Sequence, residues 1–238
     1  IACVISEPEK YNLIPDGFYD EAIMLAHSNG AVWIMDEMIT GFKTDYPGSI
    51  KKYNAKPDLA TWGKGIANGF SFCALTGKKD IMNLGGIYNS ERKLFLVSTT
   101  HGGETAPIAA ALETMKVFEE FEVIKHNQKI GQYFIDGAES LINNYDMNDY
   151  IKLTGFNWNV GLVINGKDKN PSFGFRTLFM QEMIKRGVLY QGILSPCFSM
   201  KIKDIDFMLD AFEQSIKILI KALDQNLEKY LIGPEIKP

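Results

Sequence analysis

Two short apolar runs flank one amphipathic segment at the start of the chain, and this order constrains the fold more than any other feature. Residues 1–6 and 31–35 are almost entirely apolar and end at acidic residues, which is typical of buried strands. Between them, apolar residues recur at helical spacing over 17–28, and Asn29 and Gly30 supply a helix stop. A strand, a helix and a strand in this order predict a parallel unit with a right-handed crossover, and hence an α/β fold.

The rest of the chain continues this pattern and then becomes mainly helical. Residues 44–58 are polar with two prolines and predict a loop. We interpret residues 1–122 as part of a large α/β domain, and 123–238 as a linking helix with a smaller α+β domain. The periodicity predicts strands at 59–62, 72–76, 94–99, 160–164 and 188–190, and helices over 108–118, 130–141, 175–186 and 205–219.

Composition excludes several classes of function. The net charge is −4 and no basic cluster is present, which disfavours a nucleic-acid partner. No apolar run reaches the ~20 residues that would span a bilayer, so we expect no membrane span. Three widely spaced cysteines predict free thiols in a reducing, cytoplasmic setting, and no Cys or His spacing suits a metal. Because the chain opens on Ile1 inside an apparent strand, we expect it to begin in mid-domain.

One carboxylate and one amine stand out as candidates for chemistry. Asp36 follows five apolar residues, at the carboxyl end of a predicted strand, where open α/β sheets bind ligands. Lys64 comes 28 positions later between two glycines, which allow close backbone approach. A carboxylate that holds a pyridine nitrogen and a lysine that forms an imine are what a pyridoxal-phosphate (PLP) site needs. Taken singly, Asp36 is equally a loop anchor, and Lys64 is more simply an exposed surface lysine.

Two further positions are weaker candidates. The turn at 100–104, Thr-His-Gly-Gly-Glu, joins a predicted strand to a helix, so Thr100 is either a phosphate ligand or an ordinary helix cap. Glu7 closes the first strand and either points into the same cleft or only marks the strand end. His101 has no role that the sequence defines, since a lone histidine is more often structural.

Several segments together resemble the class III aminotransferases, especially the subgroup of glutamate-1-semialdehyde 2,1-aminomutase. The segment at 35–42, Met-Asp-Glu-Met-Ile-Thr-Gly-Phe, looks like the family's Asp-Glu-Val-x-Thr-Gly-Phe-Arg segment. Gly-Lys-Gly-Ile-Ala-Asn-Gly-Phe at 63–70 looks like the Schiff-base lysine segment. The turn at 100–104 and the helix and strand at 179–189 also resemble family segments in the same order.

The resemblance implies a PLP-dependent transferase of fold type I, with part of the large mixed-sheet domain and a C-terminal small domain. Lys64 would carry PLP as a Schiff base and then move a proton between the substrate carbon and the cofactor. Asp36 would hold the pyridinium N–H, and Met38, in place of the usual valine, would pack under the ring. Thr100 would bind the phosphate of the neighbouring subunit's cofactor, so a homodimer with interfacial sites is expected. Glu7 would lie on the substrate side.

The expected activity is transfer of an amino group between a small-molecule amine donor and a carbonyl acceptor. An intramolecular 2,1-aminomutase is the alternative within the same chemistry. A catalytically silent, truncated chain is the alternative from another class, because the family's upstream half, with its phosphate-binding turn and stacking aromatic, is missing. The family's arginine near the C-terminus has no counterpart in 191–199. Nothing in the sequence identifies the substrate.

Overall fold

The computed structural model describes residues 1–10, 12–86, 100 and 102–237, which fall into two compact units. The first unit comprises Ile1–Ile124, and the second begins at Lys125. The strand predicted at 94–99, and His101, lie outside the described residues.

Within its described residues, the first unit is built on a four-stranded mixed sheet. Its strands run in the order β1-β2-β3-β4 across the sheet. Its elements are β1 (Cys3–Ser6), α1 (Phe18–Ser28), β2 (Val32–Asp36), α2 (Ser49–Lys52), β3 (Leu59–Trp62), a 3₁₀ turn (Lys64–Ala67), β4 (Ala74–Gly77), α3 (Lys79–Leu84) and α4 (Thr105–Glu120).

The strand–helix–strand prediction is confirmed, because β1 and β2 pair in parallel on either side of α1. β3 adds to β2 in parallel, and β4 returns antiparallel to β3. Two details differ from expectation. The loop predicted over 44–58 contains the short helix α2. β1 lies at the edge of the sheet formed by the described residues, and its residues alternate between exposed and half-buried, so it is not a buried strand.

One face of this sheet is packed under helices. Trp33 and Met35 of β2 join Tyr19 and Ile23 of α1 in one apolar cluster. Farther along the sheet, Ala60 and Trp62 of β3 form a second cluster with Ala111 of α4 and with the 3₁₀ turn. Side chains alternate across a strand, and Met35 pairs in register with Ala60, so both clusters lie on the same face of the sheet.

Among the residues that the structure describes, none of the helices has the length and apolar character of a membrane span.

The second unit combines a three-stranded antiparallel sheet with three long helices. The elements are α5 (Val123–Asn144), β5 (Ile151–Phe156), β6 (Asn159–Ile164), α6 (Phe173–Lys185), β7 (Ile193–Leu194), α7 (Ile202–Asp224) and a 3₁₀ turn (Leu227–Lys229), with the sheet order β5-β6-β7. The first two residues of α5 belong to the first unit.

Two strands of this unit depart from the sequence analysis. The strand predicted at 188–190 is irregular, and the pairing falls at β7, where Leu194 lies opposite Val160. β5 was not predicted, although it pairs with β6 along its full length, starting with Ile151 opposite Ile164. The backbone of Gly155 inside β5 has a φ of 80°, and such a glycine weakens a strand pattern in the sequence.

The core of the second unit is a single large cluster of apolar side chains. Phe134, Phe179 and Phe212 are fully buried in it, and Phe212 meets each of the other two rings edge to face. Gly131 lets α5 approach the turn between β5 and β6, because a Cβ there would lie 1.7 Å from the carbonyl oxygen of Asn157.

Candidate functional site

The predicted site residues follow neighbouring parallel strands at one edge of the first unit's sheet. Asp36 is the last residue of β2, and its register partner on β3 is Thr61. Glu7 comes directly after Ser6, which pairs with Met35. Lys64 follows the end of β3 by two residues. Parallel strands end at the same edge, so these three residues share the carboxyl edge of the sheet, where α/β sheets bind ligands.

The carboxylate of Asp36 is held in place by hydrogen bonds to only one of its two oxygens. Its Oδ1 accepts hydrogen bonds from the hydroxyl of Thr61 at 2.8 Å and from the backbone N–H of Met38 at 3.0 Å. Neither bond uses Oδ2, for which no partner is found in the part of the chain that the structure describes. The side chain is therefore oriented by its neighbours and keeps one acceptor available at the strand edge.

Lys64 has a strained backbone conformation, and the residue is exposed. Its φ is 49°, in the left-handed region that L-residues rarely adopt. The residue opens the 3₁₀ turn whose Ile66 and Ala67 are buried against α4, so the backbone beneath it is anchored. The residue itself is exposed, and no described residue pairs with its amine. A strained residue held by well-packed neighbours is characteristic of functional positions.

Met38 lies against the glycine that precedes this lysine. A Cβ added to Gly63 would come within 2.4 Å of Met38 Cε and 2.6 Å of its sulfur. Gly63 is thus needed for close approach, not for an unusual backbone angle. Met38, Asp36 and Lys64 therefore form one local group, in which a carboxylate, an amine and an apolar thioether suit a flat heteroaromatic ring that bears an aldehyde.

The neighbouring acid, Glu37, has a different role that the sequence analysis missed. It is fully buried and accepts hydrogen bonds from Thr40 Oγ1 at 2.5 Å, from Ser49 N at 3.1 Å and from Ile50 N at 2.5 Å. Burial raises the pKa of Glu37 in spite of these three donors, which act to lower it. Glu37 caps α2 from inside the protein and so anchors the loop that follows Asp36.

Lys43 is a second amine near the site. Burial lowers the pKa of its ammonium group, and the positive charge of Lys64 lowers it further. Sequence analysis did not single out Lys43, although it occupies the arginine position of the resembling segment.

Asp58 ties together the elements that carry the site. Its Oδ2 accepts from Trp33 N at 2.7 Å and from His27 Nε2 at 2.8 Å, and its Oδ1 accepts from Lys78 Nζ at 2.6 Å. Burial acts to raise the pKa of Asp58, but these three donors together outweigh it and lower the pKa to about 2. One carboxylate thereby links α1, β2 and the segment that follows β4.

The two weaker candidates are less constrained. Glu7 is exposed and forms a 3.6 Å ion pair with Lys10. Thr100 is exposed in a turn, and no described contact joins it to Asp36 or Lys64. Their assigned roles stay predictions.

Two of the three arginines serve the second unit. Arg186 donates to Glu182 Oε2 and to its backbone carbonyl, both at 2.7 Å, and Glu182 is buried. Arg176 donates to the carbonyl of Gln191 at 2.9 Å. Arg92 lies outside the described residues.

The sequence of the chain matches a known protein family and curated proteins within it. Residues 1–216 match the family model described as Aminotransferase class-III. The glutamate-1-semialdehyde 2,1-aminomutase of Methanosphaera stadtmanae is 32% identical over 155 residues, which cover 63% of this chain and 36% of that protein. The enzyme of the same name from Methanococcus vannielii is 26% identical over 231 residues, 94% of this chain and 53% of that protein. Nearly all of this chain thus aligns with the Methanococcus vannielii enzyme, but the chain spans only about half of that enzyme's length.

Solved structures share the fold at lower identity. The Sphingopyxis sp. MTA144 FumI protein in its PLP internal aldimine form gives a TM-score of 0.82 at 20% identity, covering 96% of this chain and 55% of that one. An omega-transaminase from Sphaerobacter thermophilus gives 0.76 at 20% identity, covering 92% and 52%. The predicted fold class, a PLP-dependent transferase fold with mixed α/β architecture, is confirmed.

Proposed function

Because this chain belongs to the class III aminotransferase family, we propose that it carries the lysine and aspartate of a PLP-dependent aminotransferase. The reaction would move an amino group from a small-molecule amine donor to a carbonyl acceptor. One observation carries the proposal. Asp36 and Lys64 share the carboxyl edge of the sheet, and no described residue bonds Asp36 Oδ2 or Lys64 Nζ.

The residues at this edge fit PLP, which supplies an electron sink when bound. Asp36 would accept the pyridinium N–H on Oδ2, which no described residue bonds, while Thr61 and the N–H of Met38 keep the carboxylate in position. Met38 would support one face of the ring. Lys64 Nζ would hold the cofactor through its aldehyde carbon, and the released amine would move a proton between the substrate carbon and the cofactor.

The test is borohydride reduction of the purified chain with PLP, followed by peptide mass mapping. We expect a reduced phosphopyridoxyl group on Lys64 and none after Lys64→Ala. Lys56→Ala is the matched control, since it removes an exposed lysine of the same unit. A label that persists in Lys64→Ala would refute the assignment of Lys64.

Asp36→Asn separates cofactor binding from catalysis. We expect the variant to retain PLP on Lys64 but to lose turnover by a factor of about 10² or more, since an amide does not stabilise the ring's positive charge. Near-normal turnover would exclude the role given to Asp36.

A second candidate function is the intramolecular 2,1-aminomutase, supported by the name of the curated relatives. A transaminase releases a keto product after its first half-reaction, whereas an aminomutase retains its intermediate. Single-turnover product analysis with an amine donor alone distinguishes the two.

We also propose a homodimer in which Thr100 serves the neighbouring subunit's cofactor phosphate, supported by its exposure in a turn. A hybrid dimer of one Lys64→Ala subunit and one Thr100→Ala subunit tests this. If Thr100 acts across the interface, one site of the hybrid has both residues and binds PLP with wild-type affinity. If Thr100 acts within its own subunit, neither site does.

Two smaller assignments complete the proposal. Glu7 is proposed on the substrate side, so Glu7→Gln should raise KM while kcat is retained. A cytoplasmic location is proposed because all three cysteines are free. Fractionation of cells that express the tagged protein tests the location.

A further inference from the structure

Two turns at the carboxyl edge of the first unit's sheet contact each other, and each carries a lysine. The Cβ atom of Phe42 lies 3.5 Å from the position that a Cβ on Gly65 would occupy, and the carbonyl oxygen of Gly41 lies 3.8 Å from it. Lys43 follows Phe42 in one turn, and Lys64 precedes Gly65 in the other. The two lysines therefore flank a single contact between the turns.

The fold holds both turns firmly. Phe42 has a φ of 62° and Lys64 a φ of 49°, so each turn contains a residue in the left-handed region. Phe42 is buried in the same apolar cluster as Ile66, which follows Lys64 by two positions, and its N–H donates to the carbonyl of Pro47 at 2.8 Å. Strained residues fixed by packing are typical of functional positions, and here they set where the two amines begin.

The charges of the two lysines oppose each other. Lys43 is half-buried, and burial lowers the pKa of its ammonium group. The positive charge of Lys64 lowers this pKa further, so the two groups lie within each other's electrostatic field. Like charges that are partly removed from water are unfavourable, and an anion beside them offsets the cost. The pair is therefore suited to bind an anion at the candidate site.

The other lysines that the structure describes in the first unit are engaged or lie elsewhere. Ion pairs with carboxylates hold Lys10, Lys51, Lys52, Lys78 and Lys116. Lys56 precedes β3 and Lys79 follows the antiparallel β4, so both lie at the opposite edge of the sheet from Asp36. Of these described lysines, Lys43 is the one placed to bring a second positive charge to Lys64.

We propose that Lys43 binds the carboxylate of the amine donor, so that the site selects amino acids over amines that lack a carboxylate. In an α-amino acid the amino group and the carboxylate are bonded to the same carbon. A cation that binds this carboxylate must therefore lie beside the lysine that the substrate's amino group displaces. Lys43 meets this requirement through the contact between Phe42 and Gly65. The inference rests on the proposed function, in which Lys64 is the displaced lysine.

The test compares amine donors that differ only in the carboxylate. L-alanine and L-glutamate are each compared with their α-carboxamide in single turnovers of the PLP-loaded protein, which give a limiting rate and an apparent dissociation constant. Lys43→Met should raise the apparent dissociation constant of both amino acids by about tenfold or more, with the limiting rate retained, and should change that of the amides by less than about twofold. Lys43→Arg keeps the positive charge and should retain the preference for amino acids.

Lys51→Met is the matched control. The Lys51 side chain is 61% exposed and pairs with Asp45, so this variant should bind all four donors as the wild type does. Circular dichroism checks that the variants fold. A wild-type protein that reacts with neither amino acid would overturn the proposal. Weaker PLP binding by Lys43→Met with an unchanged preference for amino acids would also overturn it, because the anion would then be the cofactor's phosphate.

The proposed function and the role of Lys43 fail separately in this design. A wild-type protein that takes no label on Lys64 after borohydride reduction with PLP refutes the proposed function. A protein that is labelled normally, but in which Lys43→Met weakens the binding of amino acids and amides alike, refutes only the role of Lys43.

Discussion

Removal of the Asp58 carboxylate should flatten the acid dependence of the first unit's stability. The side chain is 6% exposed and accepts from Trp33 N, His27 and Lys78. These donors favour the ionised form, which lowers the pKa of Asp58 from 3.8 to about 2. A group with a depressed folded-state pKa stabilises the protein above its unfolded-state pKa, and this contribution is lost as the pH falls through the folded value.

The size of the effect follows from the shift. A difference of about 1.8 pKa units at about 1.36 kcal/mol per unit corresponds to about 2.4 kcal/mol at neutral pH. By linkage, about 1 kcal/mol of this is lost by pH 3 and about 2 kcal/mol by pH 2. Asp58→Asn cannot titrate, so it should lack this part of the acid sensitivity, although it is less stable at pH 6.

Urea unfolding at pH 6, 4 and 3, followed by tryptophan fluorescence, measures the dependence. Trp33 and Trp62 lie in the first unit and Trp158 in the second, so a Trp158→Phe background restricts the signal to the first unit. We expect the free energy of unfolding to fall by about 1 kcal/mol more in the background protein than in Asp58→Asn between pH 6 and pH 3.

Asp16→Asn serves as the control, because Asp16 is an exposed aspartate of the same unit. It should keep the acid dependence of the background protein. If Asp58→Asn also keeps it, the carboxylate is not ionised preferentially in the folded state and the reasoning fails.

Three other substitutions probe the supports of each unit. Glu37→Ala should cost about 3–5 kcal/mol in urea unfolding, since it leaves three buried donors without an acceptor, and Glu37→Gln should cost less; equal costs would contradict its role as a carboxylate cap. Gly63→Ala should lower the urea midpoint of the first unit, and should lower it less in a Met38→Ala background, because the added methyl meets the Met38 side chain; an equal decrease in both backgrounds would exclude that clash. Glu182→Ala should destabilise the second unit by about 2 kcal/mol by removing the acceptor of Arg186, and an unchanged urea midpoint in Trp158 fluorescence would count against it.

Elements with a strong local period were predictable from the sequence. α1 and α4 follow apolar repeats at helical spacing, and the parallel pairing of β1 with β2 follows from the helix between them. β5 and the position of β7 were not, because each depends on a partner strand distant in sequence. Cross-strand pairing supplies most of the stability of such short strands, so their own residues carry little signal.

The two adjacent acids, Asp36 and Glu37, mark the boundary between sequence and structure most clearly. The sequence alone determined that both follow a buried strand and, since side chains alternate, that they point to opposite sides. Only the tertiary structure decided that Glu37 is enclosed by the N-terminus of α2, whereas Asp36 lies on the other face of the sheet, with its Oδ2 bonded to no described residue. Alternation is a local property of the backbone, but the identity of the covered side depends on where distant helices pack, and no local pattern encodes that choice.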